Sequence, residues 1–339
     1  MASARRDAAA VIALALGCLS APASRAEQAP APTEAAAPCP TPATAHWQAI
    51  VPGLWIRPGA AQEIAPGNRG RVASQVLIGH GVNATLIDPG PSLEQGQTAR
   101  TAARCELGLS ITRVLDSHAH AENVLGNTAF ADLTIEATPA TAAAMQARCP
   151  QCLASITQAA GAGALAGTRI VLPAPVLRAG QTVSSDSGPW RLLEFTAAHS
   201  QSDLALWNAD QRLLIAPGLV YAQRLPELAQ GSLSGWIAAL RQLSALDPDW
   251  VLGQRATRGP DSDLHATRRY LCDLAQAVLQ ALEQGRTASD ASPTTATGLP
   301  AYASWAGHAE RQGFNVQRAW RELEPLWIRG EPSPCAAPD

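Results

Sequence analysis

Leu115-Asp116-Ser117-His118-Ala119-His120-Ala121-Glu122-Asn123 decides how this chain is read. An apolar strand signal, Ile111–Asp116, runs into this stretch, and a helix start follows it. At the end of an extended strand, side chains two positions apart point the same way. His118 and His120 can therefore offer their imidazoles to one ion. A third ligand must come from elsewhere in the chain. His199 is the best candidate, because it directly follows another apolar strand, Leu192–Ala198. Three His and a water make the tetrahedral site with one open position that catalytic zinc uses. Such an ion activates its bound water. Taken alone, a His pair in a turn is a weak signal, more often solvated than metal-bound.

Working outward, strand and helix signals alternate. Strands are expected at Gly53–Arg57, Arg71–Ile78, Asn83–Asp88, Ile111–Asp116, Leu133–Glu136, Arg169–Pro173, Arg191–Thr196, Leu204–Trp207, Arg212–Ala216 and Trp250–Leu252. Helices are expected at Glu94–Leu107, Thr141–Arg148, Cys152–Ala160 and Leu233–Leu246. Adjacent short strands in two places, each followed by helices, suit a layered α/β (α+β) sandwich with mixed sheets. Further on, Leu264, Leu271, Leu274, Val278 and Leu282 recur at helical spacing within Asp261–Gly285. A Ser/Thr/Pro stretch, Thr287–Pro300, separates that helix from another at His308–Leu323.

The chain begins with Arg5-Arg6, an apolar run Ala8–Leu19 and small residues up to Ser24-Arg25-Ala26. That is the pattern of an export signal over 1–26. Residues 27–45 are mostly Ala, Pro, Thr and Glu, a composition that reads as a disordered linker. The expected organisation is then a main domain over 46–258 and a helical extension over 259–339. No later apolar run is long enough to span a bilayer, so the mature protein is expected in the periplasm or secreted, without stable membrane insertion. The net charge of −3 gives no basic footprint for nucleic acid.

Six cysteines remain beyond the signal: Cys39, Cys105, Cys149, Cys152, Cys272 and Cys335. An even number in an exported chain points to disulfides, though sequence cannot choose the pairing. Cys149-Pro150-Gln151-Cys152 reads first as a local disulfide and next as a redox pair. With no second CxxC, half of a structural zinc site comes last.

The same residues resemble the metallo-β-lactamase superfamily, from Val51 to about Arg255. Asn83–Gly90 looks like its early strand and Asp–Gly turn. His118-Ala-His120-Ala-Glu122-Asn123 resembles its HxHxDH motif, and His199-Ser-Gln-Ser-Asp203 its next His turn. Leu213–Val220 is similar to the segment that carries Gly-Asp there, and Val251–Gln254 to the one that carries the last His. Val124–Phe130, Arg148–Leu153 and Gly167–Pro173 resemble one branch, the quinoprotein relay system zinc metallohydrolases. The resemblance implies a four-layer αββα sandwich with a C-terminal helical appendage, and metal ligands His118, His120 and His199. A possible partner it implies is a PQQ-dependent quinoprotein dehydrogenase system.

The family's second metal would fall on Glu122, Asn123, Gly218 and Gln254. Three of these are poor ligands or none at all, so one zinc per chain is expected. Glu122 keeps a carboxylate where the family's Asp orients or deprotonates water, and it reads as a general base. It reads equally as a solvated residue at a helix start. Asp88 is expected to fix a turn, and Asp203 to cap one or hold a His ring. His46, His80, His265 and His308 lack a motif. Two functions fit: a mononuclear hydrolase acting on a small ester, thioester, lactone or amide, or an accessory protein that has lost catalysis. A thiol redox protein ranks below both.

Overall fold

Along the strand Gln75–His80, Val76 and Ile78 face one way and Leu77 the other, and all three are buried. Both faces of that sheet are therefore covered, and the whole architecture repeats this arrangement. A computed structural model describes Cys39 and residues 46–259, 262–290 and 296–336. The expected signal, and the expected linker apart from Cys39, lie outside the described residues.

The first sheet holds β1 (Gln48–Val51), β2 (Leu54–Arg57), β3 (Gln75–His80), β4 (Asn83–Ile87), β5 (Ser110–Leu115) and β6 (Ile135–Glu136), in that order. Its first four strands pair antiparallel, and β4, β5 and β6 pair parallel. The second sheet runs from β7 (Thr182–Val183) through β8 (Trp190–Thr196), β9 (Ser202–Asn208), β10 (Leu213–Ile215) and β11 (Trp250–Leu252) to β12 (Ala256–Arg258). Only its β10–β11 pair is parallel. Parallel neighbours need a crossover. Helix α1 (Leu93–Leu107) makes it between β4 and β5, the short helix α2 (Ala121–Val124) follows β5, and α4 (Leu233–Ser244) makes the crossover between β10 and β11.

Between the sheets, Ile56, Val76, Ile78 and Leu115 meet Leu192, Leu204, Leu206 and Ile215 around Trp190. On the outer face of the first sheet, Leu77, Leu86 and Val114 pack with Ala99 and Ala103 of α1. On the outer face of the second, Ala205, Trp207 and Leu214 pack against Trp236 and Leu240 of α4. That cluster continues through Leu271 and Leu274 of α5 (Asp263–Glu283) to Trp320 and Leu323 of α6 (His308–Ile328). The result is the expected helix–sheet–sheet–helix sandwich with C-terminal helices.

Three local expectations are corrected. Arg169–Pro173 forms no strand, because neighbouring side chains take its backbone groups. Asn127 Nδ2 donates to the Val171 carbonyl at 3.1 Å, and Thr128 Oγ1 bonds both the Arg169 carbonyl and its N–H. Thr141–Arg148 and Cys152–Ala160 are one helix, α3 (Pro139–Ala160), running through Pro150. Pro150 and the Gln146 turn beneath it both face solvent, where a carbonyl left without its helical N–H partner costs least. Finally, Cys149 and Cys152 do not form the expected disulfide. They lie on this helix as free thiols, while Cys39 pairs with Cys105 and Cys272 with Cys335. Burial pushes the Cys149 thiol up to about 12 and also raises Cys152. Neither is the low-pKa thiolate that redox exchange uses.

The Cys272–Cys335 bridge ties α5 to the chain beyond α6 across 63 residues. Chain entropy alone assigns such a loop about 4 kcal/mol. Replacing both cysteines with Ser is expected to lower unfolding free energy by about 2–4 kcal/mol, read from the urea midpoint at unchanged slope.

Candidate metal centre

β4 ends at Ile87, and Asp88 follows in a left-handed conformation with φ 58°. That turn aims its buried carboxylate across to the end of β5. Oδ1 accepts the Ser117 N–H at 2.8 Å, and Oδ2 accepts the Ser117 hydroxyl and Asn123 Nδ2, each at 2.7 Å. Burial raises the Asp88 carboxyl to about 6, so at neutral pH it is ionised and accepts only. The Ser117 hydroxyl must then donate to Asp88, which leaves its lone pair for His118 Nδ1 at 2.8 Å. His118 consequently carries its proton on Nδ1 and presents the Nε2 lone pair. Asp88 thus fixes a turn, as expected, and through Ser117 it also sets a tautomer.

His118, His120 and His199 come together as the sequence pattern requires. Their ring centroids lie 4.5–5.0 Å apart, and their ligand atoms lie within 4.8 Å of one another. His120 Nδ1 and His199 Nε2 face each other at 2.9 Å. Two nitrogens on one tetrahedral zinc sit about 3.3 Å apart, given Zn–N bonds of about 2.0–2.1 Å, so a small ring rotation admits the ion. Burial, reinforced by the neighbouring His rings, holds His118 and His199 well below the usual histidine range. Both are the neutral imidazoles that metal ligation needs. The outward atoms, His120 Nε2 and His199 Nδ1, are buried without hydrogen-bond partners. The nitrogens that face one another, His120 Nδ1 and His199 Nε2, are the ones a common cation would share with His118.

His199 is held by a tight local structure. Asp203 accepts from the Ser200 N–H at 2.8 Å and from its hydroxyl at 2.9 Å, so it caps the turn. Trp236 packs its indole 4.8 Å from the His199 ring and donates to the Leu219 carbonyl at 3.0 Å. Its helix fits there because of Gly235, where a Cβ would sit 2.0 Å from the Ala197 carbonyl oxygen. Tyr221 Oη lies 3.5 Å from His199 Nε2.

The positions that the resemblance assigns to a second metal are committed elsewhere. A Cβ at Gly218 would stand 2.8 Å from His118 Nδ1 and Cε1, so the imidazole fills the space an acidic side chain would need. Gln254 clamps two loops, accepting from the Ala222 N–H at 3.1 Å and donating to the Ala60 and Val72 carbonyls at 2.8 and 3.1 Å. Asn123 is bound to Asp88. Glu122 alone remains available. It is half-buried, and lines both a small cavity beside His118 and an open cleft beside His120. Burial opposes its charge, but His120, Arg224 and Arg311 outweigh that and hold its pKa below the ordinary value. It also stands in the first turn of the short helix Ala121–Val124, the place the alternative expectation gave it. The cleft has a volume of about 420 Å3, with Arg148, Cys152, Glu227 and Arg311 on its walls. That is the size of small-molecule sites.

Sequence reasoning did not find Ser117, Tyr221, Arg224 or Trp236. Ser117 was adjacent to the motif, and its hydroxyl beside a ligand His was the available signal. Tyr221 and Arg224 follow the Pro217-Gly218 segment by a few residues, where motif matching stopped.

The chain has the metallo-β-lactamase fold. It is similar to the metallo-β-lactamase FIM-1 from Pseudomonas aeruginosa in its mono-zinc form, at 15% identity and a TM-score of 0.51, over 69% of this chain and 96% of that one. Lower scores relate it to the metallo-β-lactamase from Pontibacter korlensis (18% identity, 66% and 97% of the two chains, TM-score 0.48) and to TMB-1 (13%, 66% and 95%, 0.49). No protein-family model and no curated protein matches the sequence.

Two substitutions test the centre. Ser117→Ala removes the acceptor that fixes the His118 tautomer and is expected to weaken zinc binding by about 10–100-fold, the usual cost of losing such a support. Gly218→Ala drives a methyl group into the His118 ring and is expected to weaken it at least as much. Competition with a chromophoric chelator measures both, at unchanged far-ultraviolet circular dichroism.

Proposed function

We propose that this chain is an exported zinc-dependent hydrolase that works with one metal ion, held by His118, His120 and His199. The convergence of three buried neutral imidazoles on one point carries this reading. When bound there, zinc supplies Lewis-acid polarisation and activation of water. The chain's own residues supply the rest. Asp88 and Ser117 hold His118 in its ligand tautomer. Glu122, ionised and at the cleft wall, takes the proton of the attacking water and returns it to the leaving group. The substrate class is a small ester, thioester, lactone or amide, taken up in the cleft beside His120. A true β-lactamase activity is not favoured, since one fold hosts many chemistries.

Export is supported by the N-terminal pattern and by two disulfides, which persist in oxidising compartments. No helix among the described residues is long and apolar enough to cross a membrane. The resemblance to the quinoprotein relay branch supports a working place beside a quinoprotein dehydrogenase system. A second reading, a non-catalytic accessory protein that binds a small ligand in the cleft, draws on the second-metal positions now engaged in packing and clamping.

Zinc content separates these readings. Purified from Glu27 onward without chelator, the protein is expected to carry about one zinc per chain, and His118→Ala none. About two would mean that a second site has been rebuilt. None in a folded protein would favour the accessory role. With a p-nitrophenyl ester as substrate, Glu122→Gln is expected to lower kcat by about 10²–10⁴-fold at unchanged zinc content. An unchanged kcat would remove Glu122 from the mechanism.

A further inference from the structure

The chain crosses from β10 to α4 through residues 216–232, and α6 holds the second half of that crossing. Arg311, Asn315, Arg318 and Glu322 recur at helical spacing and form one stripe along α6. Arg311 pairs with Glu227. Asn315 accepts the Leu228 N–H at 3.1 Å and donates to the Pro226 carbonyl at 2.7 Å. Arg318 donates to the carbonyls of Leu228 at 3.3 Å and Gly231 at 3.2 Å. Glu322 completes the stripe at the start of α4. Its Oε1 accepts the Ser232 hydroxyl at 2.9 Å and the Ser234 N–H at 2.7 Å, and its Oε2 accepts the Leu233 N–H at 2.8 Å. The first N–H groups of a helix have no partner within it, and a carboxylate there also meets the positive end of the helix dipole.

The other side of the same few residues lies against the turn that carries His199. The Ser232 N–H donates to the Ala198 carbonyl at 2.9 Å. A Cβ at Gly231 would stand 2.2 Å from the Ala198 carbonyl oxygen and 2.7 Å from that of His199. Gly235 meets the Ala197 carbonyl as closely, and Trp236 packs on the imidazole itself. Residues 231–236 are thus gripped by α6 on one side and by the His199 turn on the other. Contacts this close leave no slack, so a shift on one side is carried to the other.

We propose that Glu322 and Arg318 are positioning residues for His199, which makes the C-terminal helix α6 a working part of the metal centre. The assignment rests on the zinc site proposed above, and not on hydrolysis. His118 and His120 share one strand end, but His199 comes from the second sheet and must be brought to them at a set distance. Glu322 fixes the first turn of α4, and with it Trp236. Arg318 fixes Gly231, and with it the backbone on which the His199 turn rests.

Two readings test this: zinc affinity, from competition with a chromophoric chelator, and the visible spectrum of the cobalt(II)-substituted protein, which follows ligand geometry. Glu322→Ala is expected to weaken zinc binding about tenfold and to alter the cobalt spectrum. Glu322→Gln, which keeps one acceptor oxygen, is expected to recover part of the affinity. Arg318→Met, the milder change should Glu322→Ala not fold, is expected to act in the same direction. The Cys272→Ser, Cys335→Ser double variant controls for stability alone, and is expected to keep the wild-type affinity and spectrum. A zinc-loaded wild type whose Glu322 and Arg318 variants keep both readings overturns the assignment alone. So does a double variant that loses as much affinity as Glu322→Ala. A folded wild type without zinc overturns the zinc site, and the positioning role falls with it.

Discussion

The carboxylate of Asp88 is the constraint on which the site depends. It is fully buried, and in a single left-handed turn it joins the end of β4 to the end of β5 and to the first residues after it. A buried carboxylate is tolerable only when its oxygens are occupied, and here three donors occupy them. Two come from Ser117, and the hydroxyl passes the constraint on to His118. The imidazole is therefore oriented, and its proton assigned, by a group that never approaches the metal position. The crossover from β4 through α1 to β5 makes this possible, because parallel neighbours bring their C-terminal ends side by side.

The same economy of space explains the asymmetry of the centre. His199 rests against Trp236 on a helix that glycine lets in close, and the His118 ring packs directly on Gly218. Side-chain volume that a second set of ligands would need is taken by the first set and its supports. What remains beside His118 is a water-sized space bordered by one carboxylate and one guanidinium.

Much of this was legible in the sequence. Alternation and helical spacing located most strands and helices, since burial on both faces leaves long apolar signals such as Ser202–Asn208. The His triad was legible because strand ends impose direction on HxH and on the residue after a strand. Short edge strands were not: β1, β7 and β12 are four, two and three residues long and carry too little pattern. Arg169–Pro173 has the apolar character of a strand, and only the Asn127 and Thr128 side chains, distant in sequence, divert its backbone. The cysteine pairing was open because it depends on where Cys39 and Cys335 lie relative to helices far along the chain.

Gln254 has a consequence for how such a centre can change over time. Its amide ties together three backbone segments, at Ala60, Val72 and Ala222. A histidine there would offer a ligand but forfeit the clamp, and an aspartate at 218 would displace His118 before it could bind anything. Neither step gains without the other, and each is harmful first. A single substitution at 218 or at 254 therefore meets existing packing or an existing clamp before it can add a ligand.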